Sequence, residues 1–228
     1  MWARALEEIT APSDGEGTEM LAKLVAGLIV GFARFITAVR GKWEGIEPVD
    51  GQRVYFANHA SHGDFVLIWT VLPPRLRQRT RPVAGADYWL KGQLRTFIGR
   101  DVFNAVLIDR NRENRKDDPI ALMTAALDGG ASLIVFPEGT RNTGEMPLLP
   151  FKSGLYHLGK ARPDVDLVPV WIDNLNRVMP KGEIVPIPLI CTVTFGAPIR
   201  VGETQAKEEF IARAEAALLA LSPKTAVP

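Results

Sequence analysis

The sequence predicts an α/β fold with a mostly parallel central sheet and helices on both faces. From residue 52 onward, short apolar runs of β-forming residues alternate with helical segments, as in proteins whose strands are joined by helical crossovers. The run at 131–136 is apolar except for Ser132, which is typical of a strand buried on both faces. The chain has 228 residues, of which 46% are hydrophobic and 23% charged, and this suits one sizeable globular domain.

The elements follow one another along the chain. The predicted strands are 53–58, 103–110, 131–136, 166–172 and 190–199. The predicted helices are 64–72, a segment around 119–130, and 204–221. Asp64 begins the first helix and Pro73 ends it, while Pro119 and Gly129 mark the start and end of the second. Thr204 is the expected N-cap of the third helix.

Two segments of different character precede this domain, which spans residues 42–228. Residues 1–19 carry one arginine and five acidic residues, a net charge of −4, and are predicted to form an acidic flexible tail. Residues 20–41 are predicted to form a membrane-associating helical segment, although its apolar stretch 24–39 is shorter than the roughly 20 residues of a spanning helix. The segment either lies in a membrane interface, with Arg34 reaching the headgroups, or packs on its own domain.

Charge is unevenly distributed along the chain. The formal net charge of +1 does not indicate a nucleic-acid partner. Residues 75–116 nevertheless carry eleven cationic against four acidic side chains, which points to an anionic surface or ligand. For the part at 75–81 a solvated loop is an equal alternative. The single cysteine, Cys191, excludes an internal disulfide.

Charged residues follow the ends of three predicted strands, where sites form in α/β proteins. The stretch "NHASHGD" follows the first strand, Arg110 ends the second, and "PEGTR" (137–141) follows the third. If those strands are neighbours, the three groups converge on one edge of the sheet.

His59 and Asp64 form a candidate pair of general base and orienting carboxylate. In a straight helix they would point about 140° apart, so the chain must turn between them, and Gly63 makes a turn easy. His62 is only two residues from Asp64, which suits a local capping contact better. No Gly-x-Ser-x-Gly elbow or metal-ligand spacing is present, so we expect no protein nucleophile, no metal and no cofactor. The attacking hydroxyl would then come from a substrate.

The stretch "FPEGTR" supplies candidate anion-binding groups. Its turn exposes backbone N–H groups, and Arg141 can hold a phosphate with two parallel hydrogen bonds. Glu138 is expected to hold that guanidinium or to bond a substrate hydroxyl. Lys152 and Arg110 are further cations. For each of them a surface ion pair is the alternative.

Taken together and in this order, these residues resemble the 1-acylglycerol-3-phosphate acyltransferase family of glycerolipid acyltransferases. The four matching blocks are "NHASHGD", "VLIDR", "FPEGTR" and "VPVWI", and the resemblance runs from about residue 50 to residue 200. It implies that His59, oriented by Asp64, deprotonates the free hydroxyl of a lysophospholipid or of glycerol phosphate, and that this hydroxyl attacks the thioester of acyl-CoA or acyl-ACP. It also implies that the phosphate-bearing acceptor is bound by Arg110, Glu138, Gly139, Thr140, Arg141 and Lys152.

The resemblance implies the cellular setting as well. Such enzymes have an N-terminal helical element that embeds in one leaflet, so we expect a membrane-associated protein, on the cytoplasmic face of the inner membrane. The expected product is phosphatidate, formed from 1-acylglycerol 3-phosphate. The alternatives are another lysophospholipid or lyso-aminolipid acceptor, thioester hydrolysis, and a non-catalytic lipid-binding protein of the same fold.

Overall fold

A computed structural model of the chain describes residues 16–61, 63–109, 117–173 and 191–223. In this part of the chain the strands are β1 (Arg40–Trp43), β2 (Arg53–Ala57), β3 (Thr80–Gly85), β4 (Val106–Ile108), β5 (Ser132–Val135), β6 (Asp166–Asp173) and β7 (Thr192–Phe195). The helices are α1 (Glu16–Thr37), α2 (Asp64–Val71), α3 (Pro74–Gln78), α4 (Ala86–Trp89), α5 (Gln93–Phe97), α6 (Pro119–Asp128), α7 (Gly154–Ala161) and α8 (Lys207–Leu219). A π-helical turn, Ile98–Val102, continues α5.

The strands form one seven-stranded sheet in the order β1-β7-β6-β2-β5-β3-β4. The five strands from β2 to β6 are parallel, and the antiparallel pairing of β6 with β7 reverses β7 and its parallel neighbour β1. The predicted mostly parallel sheet is thus confirmed. The predicted strand at 103–110 is shorter than expected, and β1 and β3 were not predicted.

The sheet separates two apolar cores because successive side chains of a strand point to opposite faces. Tyr55 and Ala57 of β2 face a layer that contains α1, α2 and the π-helical turn. Val54 and Phe56 face the opposite layer, which contains α6, α7 and α8. Helices therefore cover both faces, as predicted. β5 is buried along its whole length because it lies between β2 and β3.

The N-terminal helix α1 differs in its bounds from the predicted segment 20–41. It begins at Glu16, so residues 16–19 belong to a helix and not to the acidic tail. Glu16 and Glu19 lie in its first turn, where the helix dipole favours negative charge. The helix ends at Thr37, and β1 starts at Arg40. The rest of the predicted tail, 1–15, lies outside the described residues.

Helix α1 is apolar on two sides. Its inner side buries Ala22, Val30 and Ala33 against the domain. Its outer side exposes six large apolar side chains: Met20, Leu21, Leu24, Leu28, Phe32 and Phe35. By length and composition the helix could cross a membrane. It packs on its own domain, and it also keeps an apolar surface that no described residue covers.

The basic stretch at 75–81 is neither a solvated loop nor part of the candidate site. It forms α3 and the start of β3, at the amino end of that strand. The Arg77 guanidinium donates to the carbonyls of Trp69, Thr70 and Leu72 at the end of α2. Burial lowers the pKa of Arg77, and its neighbour Arg34 lowers it further. Arg77 therefore stabilises the fold, because it satisfies free carbonyls at a helix C-terminus.

The predicted N-cap of the last helix was wrong. α8 begins at Lys207, three residues after Thr204. The intervening chain forms a turn in which the backbone N–H of Gln205 donates to the Gly202 carbonyl at 3.3 Å. The side-chain oxygen of Gln205 also accepts from the Gly202 N–H at 3.3 Å, so this turn takes the place of the first helical turn.

Candidate active site

The centre of the site is the loop between β2 and α2. His59 Nδ1 lies 2.8 Å from Asp64 Oδ2. The same oxygen accepts the backbone N–H groups of Ala60 at 2.7 Å and Ser61 at 2.8 Å. Asp64 is 1% exposed, whereas the His59 side chain is 20% exposed. An ionised carboxylate only accepts hydrogen bonds, so Nδ1 is the donor in this contact and Nε2 is the ring nitrogen that can accept a proton.

Asp64 itself turns the chain between the two residues. Gly63, which we expected to make the turn easy, has φ −85° and ψ −4°, values open to any residue. The turn is instead closed by the two N–H groups of Ala60 and Ser61 that converge on Asp64 Oδ2. The other carboxylate oxygen, Oδ1, is buried and has no hydrogen-bond partner among the described residues. His62 lies outside them.

A second loop, after β5, holds the main chain of His59 from both sides. The His59 N–H donates to Glu138 Oε1 at 2.7 Å, and the His59 carbonyl accepts the Asn142 N–H at 2.6 Å. The His59 ring also stacks on Phe136, with ring centroids 4.2 Å apart. The adjacency of β2 and β5 thus brings "NHASHGD" and "FPEGTR" together, as the sequence predicted for these two groups.

Glu138 faces inward, which sequence reasoning did not anticipate. It is 2% exposed, and its second oxygen, Oε2, accepts the Leu149 N–H at 2.8 Å. Burial raises the pKa of Glu138, and the two backbone hydrogen bonds oppose that shift. Within the described residues its carboxylate makes no hydrogen bond or ion pair with Arg141. The expectation that Glu138 holds this guanidinium is therefore wrong.

Asn58 is a further residue that the sequence analysis missed. Its Nδ2 donates to the Ile172 carbonyl at 3.0 Å, and its Oδ1 accepts the Ile172 N–H at 2.8 Å. The side chain thereby joins the end of β2 to β6, just before His59. The signal in the sequence was its position, directly before the candidate base and at the end of an apolar strand. An amide buried there needs hydrogen-bond partners on the backbone.

Four of the expected acceptor-binding residues, Gly139, Thr140, Arg141 and Lys152, form an exposed group beside this centre. Gly139 has φ +70°, in the left-handed region that favours glycine, and a Cβ there would lie 2.6 Å from Lys152 Nζ. Lys152 thus lies directly over the glycine. Thr140 and Arg141 are exposed next to them. Arg110 lies outside the described residues. The strand β4, which ends at Ile108, is separated from β5 by β3.

The site places the imidazole of His59, which can accept a proton, beside the exposed cations Arg141 and Lys152. No cluster of three or more His, Cys, Asp or Glu with the arrangement of a metal site occurs within residues 16–61, 63–109, 117–173 and 191–223.

A family model described as "Acyltransferase" matches residues 40–173, more than half of the chain. The chain belongs to the acyltransferase family.

Individual members of the family are similar over most of this domain. The 1-acyl-sn-glycerol-3-phosphate acyltransferase of Escherichia coli is 32% identical over 164 residues, which are 64% of this chain and 61% of that protein. The protein of the same name from Cocos nucifera is 31% identical and covers 70% of this chain and 50% of its own length. The chain therefore spans less than two thirds of the length of these relatives.

A solved structure shares the fold of this acyltransferase-family chain. The crystal structure of the 1-acyl-sn-glycerophosphate acyltransferase from Thermotoga maritima aligns with a TM-score of 0.65 at 21% identity. The alignment covers 96% of this chain and 86% of that one. It extends the similarity of fold beyond the family match at 40–173.

Proposed function

We propose that this chain transfers a fatty acyl group from acyl-CoA or acyl-ACP to the free hydroxyl of 1-acylglycerol 3-phosphate and so forms phosphatidate. The observation that carries the proposal is the His59–Asp64 pair, closed by three hydrogen bonds on one oxygen, beside an exposed cationic group. The names of the relatives from Escherichia coli and Cocos nucifera support the same reaction.

In the proposed reaction His59 acts as the general base. Its Nε2 takes the proton of the acceptor hydroxyl while that oxygen attacks the carbonyl carbon of the thioester. Asp64 stabilises the imidazolium that forms, through the 2.8 Å contact with Nδ1. The carbon–sulfur bond then breaks, and the thiolate leaves as a thiol with the proton from Nε2. No acyl-enzyme intermediate is formed.

Glu138 takes a positioning role in this proposal instead of contacting the acceptor. Its two oxygens are engaged by the N–H groups of His59 and Leu149, and it is buried. It therefore joins the loop between β2 and α2, which carries His59, to the loop that carries the cations. A base must be held closely in place because small misplacements of a reacting group cost large factors in rate.

The phosphate of the acceptor binds to the exposed group of Gly139, Thr140, Arg141 and Lys152 in this proposal, with Arg110 as an additional cation. Arg141 offers parallel donors that fit two phosphate oxygens, and Lys152 adds a point charge over the glycine. The positive φ of Gly139 matters here, because a side chain at that residue would displace Lys152.

The membrane is the proposed location of the reaction, on the cytoplasmic face of the inner membrane. The substrate and the product are lipids, and the outer side of α1 is apolar from Met20 to Phe35. Insertion of such a face into the boundary between headgroups and acyl chains removes it from water. Replacement of the exposed Leu28 and Phe35 by serine, which leaves the buried side of α1 in place, is therefore expected to weaken binding to vesicles.

The proposal is tested by mixing the purified chain with oleoyl-CoA or oleoyl-ACP and lysophosphatidate, and by measuring thiol release together with phosphatidate formation. We expect both products in equal amounts, and neither above background for His59→Ala. Absence of thiol release with either donor would refute an enzymatic role and favour a lipid-binding protein. Thiol release that does not depend on acceptor would indicate hydrolysis. A panel of lysophospholipid and lyso-aminolipid acceptors, at fixed donor, tests the choice of acceptor.

A further inference from the structure

The segment after α4 and the first residues of α5 carry a second exposed apolar surface. Leu90 is 42% exposed and Leu94 is 71% exposed. Lys91 and Arg95 are exposed beside them, and the chain has no acidic residue between positions 88 and 100. We call Leu90, Lys91, Leu94 and Arg95 the 90–95 patch. Exposed leucines flanked by cations are unfavourable in water but match a lipid surface with anionic headgroups.

The topology puts the 90–95 patch at the edge of the sheet where the candidate site lies. α4 directly follows Gly85, the carboxyl end of β3, and β3 is parallel to β5 and one strand away from β2. His59 follows the carboxyl end of β2 at the same edge. A helix of four residues is only about 6 Å long, so the patch stays close to that edge.

The 90–95 patch is also joined to α1 by packing. α1 contacts the π-helical turn Ile98–Val102, which continues α5. Trp89 and Phe97, on either side of the patch, pack into the same apolar core as Val25 and Ile29 of α1. The two surfaces are thus connected through one core, and they cannot move independently without opening it.

The C-terminal end of α1 is tied to the site edge by strand register. Arg40, at the start of β1, pairs with Thr192, which pairs with Asp173 at the carboxyl end of β6. Just before these residues, the Thr37 carbonyl accepts the Cys191 N–H at 2.9 Å. The last turn of α1 therefore lies at the edge that His59 and the 90–95 patch share.

We propose that the 90–95 patch is a second membrane contact, which docks on an anionic bilayer beside α1. The leucines enter the boundary between headgroups and acyl chains, and Lys91 and Arg95 bind lipid phosphates. The two contacts fix the orientation of the site towards the surface that holds its lipid substrates, and in this the inference rests on the proposed function. A patch of four side chains is small for a stable protein interface, which buries about 800 Å² on each partner.

The test compares partitioning of the full chain onto vesicles of phosphatidylcholine, alone and mixed with phosphatidylglycerol. The variants are Leu90→Ser with Leu94→Ser, and Lys91→Gln with Arg95→Gln. Leu219→Ser and Lys207→Gln are matched controls, because both residues lie exposed on α8, on the opposite face of the sheet, and Leu219 is 39% exposed. Turnover of short-chain, monomeric substrates checks that each variant is folded.

We expect the charge variant to bind mixed vesicles about 30-fold more weakly, since each cation near an anionic surface contributes about a fivefold factor. It should bind phosphatidylcholine vesicles like the wild type. The leucine variant should bind both kinds of vesicle about tenfold more weakly, and the controls should bind normally.

Equal binding of variants and wild type would overturn the second contact while leaving the role of α1 intact. No binding by the wild type would instead refute the proposed membrane association itself. Loss of a dimer in sedimentation, with vesicle binding unchanged, would assign the patch to a second copy of the chain and overturn the lipid contact.

Discussion

Replacing Glu138 by glutamine should uncouple the loop between β2 and α2 from the loop after β5. The carboxylate now accepts the His59 N–H at 2.7 Å and the Leu149 N–H at 2.8 Å, and it is 2% exposed. Glutamine keeps one acceptor oxygen, and its NH₂ group must face the other N–H. One charge-assisted hydrogen bond is lost, and the NH₂ group of the glutamine and the backbone N–H that faces it are two buried donors without an acceptor between them.

The expected loss follows from these contacts. A hydrogen bond to a charged group contributes about 1.5–3 kcal/mol, and a buried unsatisfied donor costs about 1–3 kcal/mol. Removal of a buried charge offsets part of this, because burial raises the pKa of Glu138. We therefore expect the free energy of unfolding to fall by about 2–4 kcal/mol. We also expect kcat to fall by about 10–100-fold, because the main chain of the base is displaced.

Two measurements separate positioning from substrate contact. Urea unfolding gives the change in stability, and steady-state kinetics with lysophosphatidate give kcat and KM separately. Glu215→Gln is the matched control, because Glu215 Oε1 accepts the Phe151 N–H at 2.8 Å without touching His59. We expect this control to keep its kcat. A normal kcat with a strongly raised acceptor KM in Glu138→Gln would refute the positioning role.

The pH dependence of stability gives an independent check. Because the pKa of Glu138 is raised above 4.5, the folded protein binds this proton more tightly than the unfolded chain does. The stabilisation is fully present below about pH 4.5 and is lost as the pH rises through the folded-state pKa. The free energy of unfolding of the wild type, relative to Glu138→Gln, should therefore decrease upward from about pH 4.5. A pH-independent difference would contradict the raised pKa.

Three further substitutions test the other parts of the site. Asp64→Asn should lower kcat about 10²–10³-fold and leave the acceptor KM unchanged in steady-state assays. The reason is that a carboxylate about 4 Å from an imidazolium stabilises it by about 4 kcal/mol at most near a protein surface. A raised KM with a normal kcat would contradict the role of Asp64 in orienting His59. Arg141→Ala should raise the KM for lysophosphatidate about 10–100-fold but not the KM for a monoacylglycerol, and equal effects on both would exclude a phosphate contact. Gly139→Ala should lower the free energy of unfolding in urea by about 1–2 kcal/mol, because alanine is strained at φ +70°. It should also raise the KM for lysophosphatidate, because the added Cβ displaces Lys152. An unchanged KM would show that Lys152 does not bind the phosphate.

Much of the fold could be predicted because its signals are local. The apolar run at 131–136 indicates a buried strand, and Asp118 and Pro119 begin α6 with a cap and a first-turn proline. The strand β3 was not predicted, because the four arginines in 75–81 are more typical of a solvated loop than of a buried strand. Those arginines find partners that no local pattern reveals, such as the Asn104 carbonyl that accepts from Arg81.

The candidate site shows the same division. His59 and Asp64 were identified because they lie five residues apart, so one turn suffices to join them. The inward role of Glu138 could not be predicted, because its partner His59 is 79 residues away in the chain. Asn58 and Ile172 are separated by 114 residues. Such pairs exist only once the order of the strands is set.

By itself the sequence determined the alternation of strands and helices, the pairing of His59 with Asp64, and the apolar character of α1. These follow from periodicity and from contacts between near neighbours in the chain, which do not need the rest of the molecule. Only the tertiary structure decided that β2 lies beside β5, that Glu138 holds the main chain of His59, and that one side of α1 is buried while the other stays exposed. The reason is physical: burial and hydrogen bonding of polar groups depend on which distant segments the packed sheet brings into contact.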